Sequence, residues 1–263
     1  MFLTAGDYYF VVLMSITEIT VKTALVRSKI AGVDFVVNPY LGCGHGCRYC
    51  YASFMARYSH HHKRYPWGTF VEVKCNIVEV LHSELSRKRR KGTVMMSSVC
   101  DPYQPMERKY RLTRQCIEAL KEFGWGIDIL TRSPLVTRDI DLLSDTSSVA
   151  VGITIPTDSD HVRTVLEPNA PSIRNRLTAL KQLYDAGIDT WVFIGPLLPM
   201  NPRKLYESIE SYVGHILIDS LNYRDKVRDI FMKNNWAYAL TDGYARDTAG
   251  ELIRLFGNRA EKV

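Results

Sequence analysis

The sequence predicts an α/β fold: a partial (β/α)6 barrel of the TIM type, formed by one dominant domain. Three observations lead there. Six short β-type apolar runs alternate with amphipathic helical stretches, the pattern of parallel βα units. At 263 residues the chain suffices for one large α/β domain, since barrels of this kind reach about 250 residues without splitting. A loop with three cysteines follows the first predicted strand directly, at the strand end where the functional loops of a barrel converge.

Residues 1–30 read as an N-terminal extension, 31–236 as the barrel and 237–263 as a helical tail. Within the extension, residues 8–14 are apolar but far short of the ~20 residues that cross a bilayer. They also lack the basic flank and small-residue cleavage site of a secretory leader, so an added edge strand is expected, with Met14 an alternative start to Met1. The barrel strands are expected at 34–40, 93–99, 126–130, 149–155, 190–194 and 215–218. Between them, Asn76 followed by Glu79 reads as a capping box ahead of the stripe Ile77, Val80, Leu81 and Leu85. Thr113 is the expected cap of a helix ending at Gly124. Ser172 would cap another, whose Ile173, Leu177, Leu180, Leu183 and Tyr184 face the sheet and whose stop is Gly187. The tail is expected to form a helix around 250–256.

Hydrophobic residues make up 46% and charged residues 24%, a balance that supports a sizeable core and excludes extended disorder. The formal charge is +6, with a concentrated run at Arg87, Lys88, Arg89, Arg90 and Lys91. That run suits either a phosphate backbone or the negative end of a helix macrodipole. Six cysteines without a leader fit a reducing, cytoplasmic compartment better than a disulfide-stapled secreted domain.

Cys43, Cys47 and Cys50 form a Cys-x3-Cys-x2-Cys triplet with Gly42, Gly44 and Gly46 interleaved. Thiolates are the usual iron-sulfur ligands and a full protein set is four, so three in one loop leave one iron open to another ligand. A structural zinc site completed by His45 or one of His60, His61 and His62 is the alternative. Zinc sites usually add a second spaced ligand pair, however, and the chain has no second Cys-x-x-Cys.

The block from Asn38 to Tyr51, Asn-Pro-Tyr-Leu-Gly-Cys-Gly-His-Gly-Cys-Arg-Tyr-Cys-Tyr, resembles the signature loop of radical S-adenosylmethionine enzymes. From about Ile16 to Met200 the chain resembles the spore photoproduct lyase family, specifically its lyase-like branch labelled DNA repair photolyase. Val73-Lys74-Cys75-Asn76, Asp101-Pro102-Tyr103-Gln104-Pro105 with Glu107, Leu112-Thr113-Arg114 and Thr131-Arg132-Ser133 carry the likeness, with Arg138-Asp139, Asp141-Leu142-Leu143, Glu167-Pro168 and Gly195-Pro196.

The resemblance implies the radical S-adenosylmethionine class of barrel, a 4Fe-4S cluster on Cys43, Cys47 and Cys50, and reductive cleavage of S-adenosylmethionine to a 5'-deoxyadenosyl radical. It implies a flavodoxin- or ferredoxin-like reducing partner, no membrane association and, as substrate, a damaged pyrimidine in nucleic acid. RNA, a peptide or a small metabolite are the alternative substrates; a non-enzymatic cluster or zinc protein is the rival class. Residue by residue, the likeness puts Tyr49 against the adenine and Arg132 and Thr154 at the methionine carboxylate. Ser98 joins the cofactor-binding set, Cys100 is the hydrogen-atom donor and Tyr51 its relay. Family members commonly carry lysine where this chain has Arg132; arginine's fork grips a carboxylate with a different reach. Cys100 stands two residues beyond the lyase's donor position, and two residues along a strand share a face, so it is expected to look into the barrel. Asp101 and Glu107 would hold the nucleotide's amine or ribose, or else their own loop. Cys75 and Cys116 are expected to be buried small hydrophobes.

Overall fold

The computed structural model describes residues 14–61, 64–144 and 148–263. Eleven strands occur among them: β1 Ser15–Ile19, β2 Leu25–Arg27, β3 Phe35–Val37, β4 Tyr40–Leu41, β5 Phe70–Lys74, β6 Thr93–Met96, β7 Gly126–Thr131, β8 Val149–Thr154, β9 Asp189–Ile194, β10 His215–Ile218 and β11 Ala260–Lys262. Eight form one sheet in the order β11-β10-β9-β8-β7-β6-β3-β2, and every neighbouring pair is parallel except β2 with β3. Parallel neighbours require crossovers, supplied by helices such as Ile77–Ser86, Leu112–Glu122, Ile173–Asp185 and Pro202–Ile209. Their apolar stripes and the outer face of the sheet make one core: Ile77, Leu81 and Leu85 are almost wholly buried, and Ile129, Val151 and Val192 belong to the same cluster. Each such aliphatic side chain contributes about 1.5–3 kcal/mol by leaving water.

The six expected barrel strands are all present, with two informative differences. The first run divides at Asn38: Phe35–Val37 pairs with β6, whereas Tyr40–Leu41 joins a separate three-stranded sheet with β5 and β1. Proline has no N–H for a ladder, and the Pro39 carbonyl accepts instead from Lys74 N at 3.1 Å. The second run stops at Met96 because Ser97 takes a left-handed conformation, φ +64°. Asn38 Oδ1 then accepts from the backbone N–H groups of Ser98 and Val99 at 3.0 and 3.3 Å, replacing the lost ladder.

Ser172 caps its helix as expected, accepting from Asn175 N, and Gly187 follows it at φ +74°. The other two caps need correction. Asn76 turns away from its helix and exchanges two hydrogen bonds with the backbone of Val21. Thr113 lies inside a helix entered through Arg111, and the carboxylate of Glu107 accepts from Thr113 N and Arg114 N in its place. The tail helix runs over Asp242–Phe256, about two turns longer at its start than expected, and the chain then returns as β11 beside β10. The strand expected at 8–14 lies outside the described residues apart from Met14; β1 begins at Ser15. Among the described residues no helix is long and apolar enough to cross a membrane.

Candidate active site

The cysteine loop is moulded by contacts on both sides. Gly42 has φ +90°, and a Cβ there would fall 2.4 Å from the Phe70 carbonyl oxygen, so only glycine fits. Gln104, fully buried in the loop after β6, accepts from Gly44 N and donates to Gly42 O, both at 3.0 Å, as an extra strand would. From the opposite side Leu166 O accepts from Arg48 N at 2.9 Å and His45 O accepts from Asn169 N at 3.3 Å. Cys43 and Cys47 are buried and Cys50 is partly exposed. Burial pushes both buried thiols up, Cys47 to about 12 despite the nearby Arg132, and a bound metal cation would favour their thiolates.

Two buried carboxylates organise the opposite wall. Asp101 accepts from Thr131 Oγ1 at 2.5 Å, Tyr103 N at 2.9 Å and Arg132 N at 2.9 Å, while His45 Nε2 stands 3.3 Å from its Oδ2. Burial raises its carboxyl, but His45 and Arg132 outweigh that and hold it well below the usual range. Glu167 accepts from the Tyr49 hydroxyl and from Arg176 Nη2. Arg176, itself fully buried, donates also to Thr154 O and Pro171 O at 3.1 Å. Burial again opposes ionisation of Glu167, and Arg176 and Arg132 again win. The Arg132 Nε lies 3.4 Å from Glu167 Oε1 yet makes no hydrogen bond, leaving this guanidinium a buried donor beside Cys47.

The sequence-predicted residues meet at one end, beside the C-terminal ends of the parallel strands, of a cavity of about 1020 Å³ that runs down the barrel. Cys43, Cys47, Cys50 and Tyr49 line it from the loop; Tyr51, Ser98, Cys100, Arg132 and Thr154 complete that end. Tyr51, half exposed, donates to Ser98 O, and burial of its hydroxyl raises it to about 12. Cys100 reaches the cavity by a different route from the one expected. Residues 97–100 are no longer strand, so alternation does not aim its side chain; the turn at Ser97 does, with Cys100 Sγ donating to Tyr40 O at 3.4 Å and Ser97 Oγ at 3.5 Å. Burial pushes that thiol up to about 11.

Some expectations separate from the site. The contacts of Asp101 hold its own loop, the start of the Arg132 segment and, through His45, the cysteine loop. Glu107 is scaffold: it accepts from Tyr40 OH at 2.5 Å and Arg138 Nη2 at 2.9 Å besides its helix cap. Cys116 is buried, whereas Cys75 is exposed at the end of β5 and is no core residue. His61 bonds Thr17 Oγ1 at 2.7 Å, and His60 N donates to Glu72, so neither faces the cysteines; His62 lies outside the described residues. The basic run 87–91 is exposed where the chain enters β6, at the opposite end of the barrel from the cysteine loop. Gln104, Arg176 and Asn38 have roles that sequence reasoning missed: Gln104 and Asn38 act across 60 residues, and Arg176 joins Glu167 and Thr154, 9 and 22 residues before it, with no local pattern.

The donor set suits a polynuclear group. Among the described residues no three His, Cys, Asp or Glu side chains converge on a point as a single ion demands. Three thiols ring one end of the cavity, and the glycine-rich loop lets backbone approach closely. The Arg132 guanidinium, with an unsatisfied Nε, adds a grip for a carboxylate.

The family profile described as Radical SAM superfamily matches residues 37–211. An uncharacterized protein of Methanocaldococcus jannaschii is 38% identical over 71% of this chain and 69% of its own length. A protein of Pseudomonas phage M6 named Radical SAM Nalpha-GlyT isomerase is 29% identical over 62% of this chain, which spans only 33% of it. A solved spore photoproduct lyase with bound AdoMet and dinucleoside spore photoproduct superposes with TM-score 0.63 at 14% identity, covering 94% of this chain and 81% of that one. The chain belongs to the radical S-adenosylmethionine superfamily and has its partial barrel; that family uses a 4Fe-4S cluster and S-adenosylmethionine. The likeness to the lyase structures concerns fold alone.

Proposed function

We propose that this enzyme opens S-adenosylmethionine at a cluster held by Cys43, Cys47 and Cys50 and takes a hydrogen atom from a substrate lodged in the barrel. The observation that carries this is the meeting of the three thiols, Arg132 and Cys100 on one cavity wall. The cluster and cofactor supply, when bound, one-electron cleavage of the sulfonium and a 5'-deoxyadenosyl radical able to attack an unactivated C–H bond. The protein's own part is to position and to exclude water. Arg132 grips the methionine carboxylate with Thr154 beside it, Tyr49 packs the adenine while its hydroxyl is pinned by Glu167, and Ser98 closes the nucleotide side. Cys100 is the hydrogen donor, with Tyr51 anchored to the same turn as its relay. A flavodoxin- or ferredoxin-like protein delivers the electron, in the cytoplasm.

A damaged pyrimidine in nucleic acid, handled by a lyase-type reaction, is the substrate we assign. What supports it is a set of exposed aromatics and cations that starts at the cavity: Tyr51 and Tyr223 line it, Phe54 and Tyr58 are exposed further along Tyr51–Tyr58, Arg57 lies 5.4 and 5.2 Å over Phe54 and Tyr58, and Lys226 sits 4.8 Å over Tyr223. Exposed aromatics interleaved with cations suit unpaired bases. A second reading, a small metabolite or peptide, is favoured by the acids deeper in the cavity. Anaerobic reconstitution tests the core assignment: about four irons and four sulfides should bind, with 5'-deoxyadenosine formed on reduction. Full iron content in Cys47→Ala, or stoichiometric colourless zinc in the native protein, would overturn it.

A further inference from the structure

The cavity continues well below the cysteine loop, and its charge reverses that of the molecule. The chain carries +6, yet among the described residues lining the cavity the one lysine or arginine is Arg132, against Asp101, Asp128, Asp189, Asp219 and Glu261. Asp101 is committed to His45, Thr131 and Arg132, and Asp219 accepts from Asn222 at 3.2 Å. The acids left over belong to the lower half. Asp128 stands four residues before Arg132 on the β7 segment, about 13 Å down the strand.

Strand register places Asp128 beside Met95 on β6 and Ala150 on β8, with Asp189 next to Ala150 on β9. Alanine leaves open the space between the two carboxylates. One oxygen of Asp128 is shielded from solvent with no hydrogen-bond partner. Burial pushes the carboxyl up to about 6 against a bond from Trp191, and Asp189 adds to the rise; at pH 8 it is still ionised, with no lysine or arginine beside it among the described residues lining the cavity. A carboxylate partly withdrawn from water, with one oxygen unpartnered and no counter-ion, is unfavourable for the fold, and a bound cation reduces that penalty.

The walls also limit what can lie there. Trp191 stacks on His215 at 5.5 Å and 10°, and its other side covers Gly152, where a Cβ would fall 2.4 Å from the indole. Phe193 lies equally close over Gly195. The aromatic faces are thus used by the barrel itself and leave edges, with Leu130 and Leu217, to line the shaft. Such a shaft fits an extended aliphatic chain better than a stacked base.

We infer that the lower end of the cavity binds a protonated amine carried on an elongated substrate, with Asp128 as its principal recognition group and Asp189 across Ala150 reinforcing the field. This rests on the radical-enzyme assignment and takes its second substrate reading, the small metabolite or peptide, in place of the pyrimidine, by naming the chemical class of the substrate's far end. Asp128 is then a specificity residue, remote from the reacting atoms. An unmodified pyrimidine offers no cation to it, so the amine also separates the two substrate readings.

The test is calorimetric titration of the anaerobically reconstituted, unreduced protein with n-hexylammonium chloride at pH 8, beside n-hexanol as the uncharged probe of equal length. The wild type should bind the ammonium at least about tenfold more tightly than the alcohol, the scale of one charge-assisted hydrogen bond. Asp128→Asn should lose that preference while still taking hexanol. Equal binding of the two probes by the wild type, or a preference that persists in Asp128→Asn, would overturn the inference. The wild-type comparison decides even if the variant does not fold. Reductive formation of 5'-deoxyadenosine by the same preparation reports separately on the radical assignment, so either can fail alone.

Discussion

Replacing Glu167 by glutamine removes one charge, and little volume, from an ionic network whose Glu167–Arg176 pair is fully buried. In the native protein this carboxylate, with no exposure, accepts from Tyr49 and from the equally buried Arg176 and faces Arg132 at 3.4 Å. The glutamine keeps an acceptor but leaves Arg176 and Arg132 without their counter-ion. Removing one partner of a fully buried pair costs about 3–5 kcal/mol, and screening by water gives no relief at this depth. For a chain of this size 1 kcal/mol shifts Tm by about 2–4 °C, so the fall should be roughly 6–20 °C. Asp185→Asn is the contrast: it breaks the exposed pair with Lys181 at 2.8 Å, which water screens, so Tm should barely move. Anaerobic thermal melts of both variants beside the wild type give the comparison. The carboxyl is held below its unfolded value, so its contribution is fully present above about pH 4.5 and disappears as pH falls through the lower folded value. The Tm gap between wild type and Glu167→Gln should therefore be constant from pH 8 to pH 6 and narrow only in acid. A gap no larger than that of Asp185→Asn, or one that grows in acid, would refute the assignment of Glu167 as an ionised anchor.

Three further outcomes are expected. Arg132→Ala should weaken S-adenosylmethionine binding by roughly 10- to 100-fold in equilibrium dialysis with iron content unchanged; unaltered affinity would return Arg132 to a purely structural pairing with Glu167. Gly42→Ala should fail to retain iron, because its φ of +90° and the 2.4 Å approach to Phe70 O force the loop to move, and normal iron content would show that the loop tolerates the shift. Cys100→Ala should still cleave S-adenosylmethionine but divert the substrate radical into side products by chromatography, and an unchanged product pattern would leave Tyr51 or the substrate as hydrogen source.

Much of the barrel could be read in advance because parallel strands buried on a sheet produce contiguous apolar runs, as at 149–154 and 189–194. The strands that escaped are those without that signature. β11 is Ala-Glu-Lys, and β2 is three residues with two exposed. Their pairing comes from neighbours distant in sequence. The cysteine loop was legible because chemistry fixes its spacing over eight residues. Gln104 was quoted within a motif, but its bidentate grip on Gly42 and Gly44 crosses 60 residues. Likewise, nothing near Asn76 tells that its side chain prefers the Val21 backbone to its own helix. Capping signals are local, and a tertiary partner of equal quality displaces them.

The place of the basic run has a practical consequence for how substrates are sought. Arg87 to Lys91 are exposed where the chain enters β6, so they crown the face remote from the cavity mouth. Retention on heparin, or a salt-sensitive shift with arbitrary DNA, would mostly register that remote face by counter-ion release and would occur with any polyanion. A screen ranked on such adhesion would enrich molecules that dock at the end remote from the thiols. Charge-neutralising that pentad before screening, for instance by exchanging its arginines and lysines for glutamines, leaves a protein whose residual polyanion affinity reports on the end where chemistry happens.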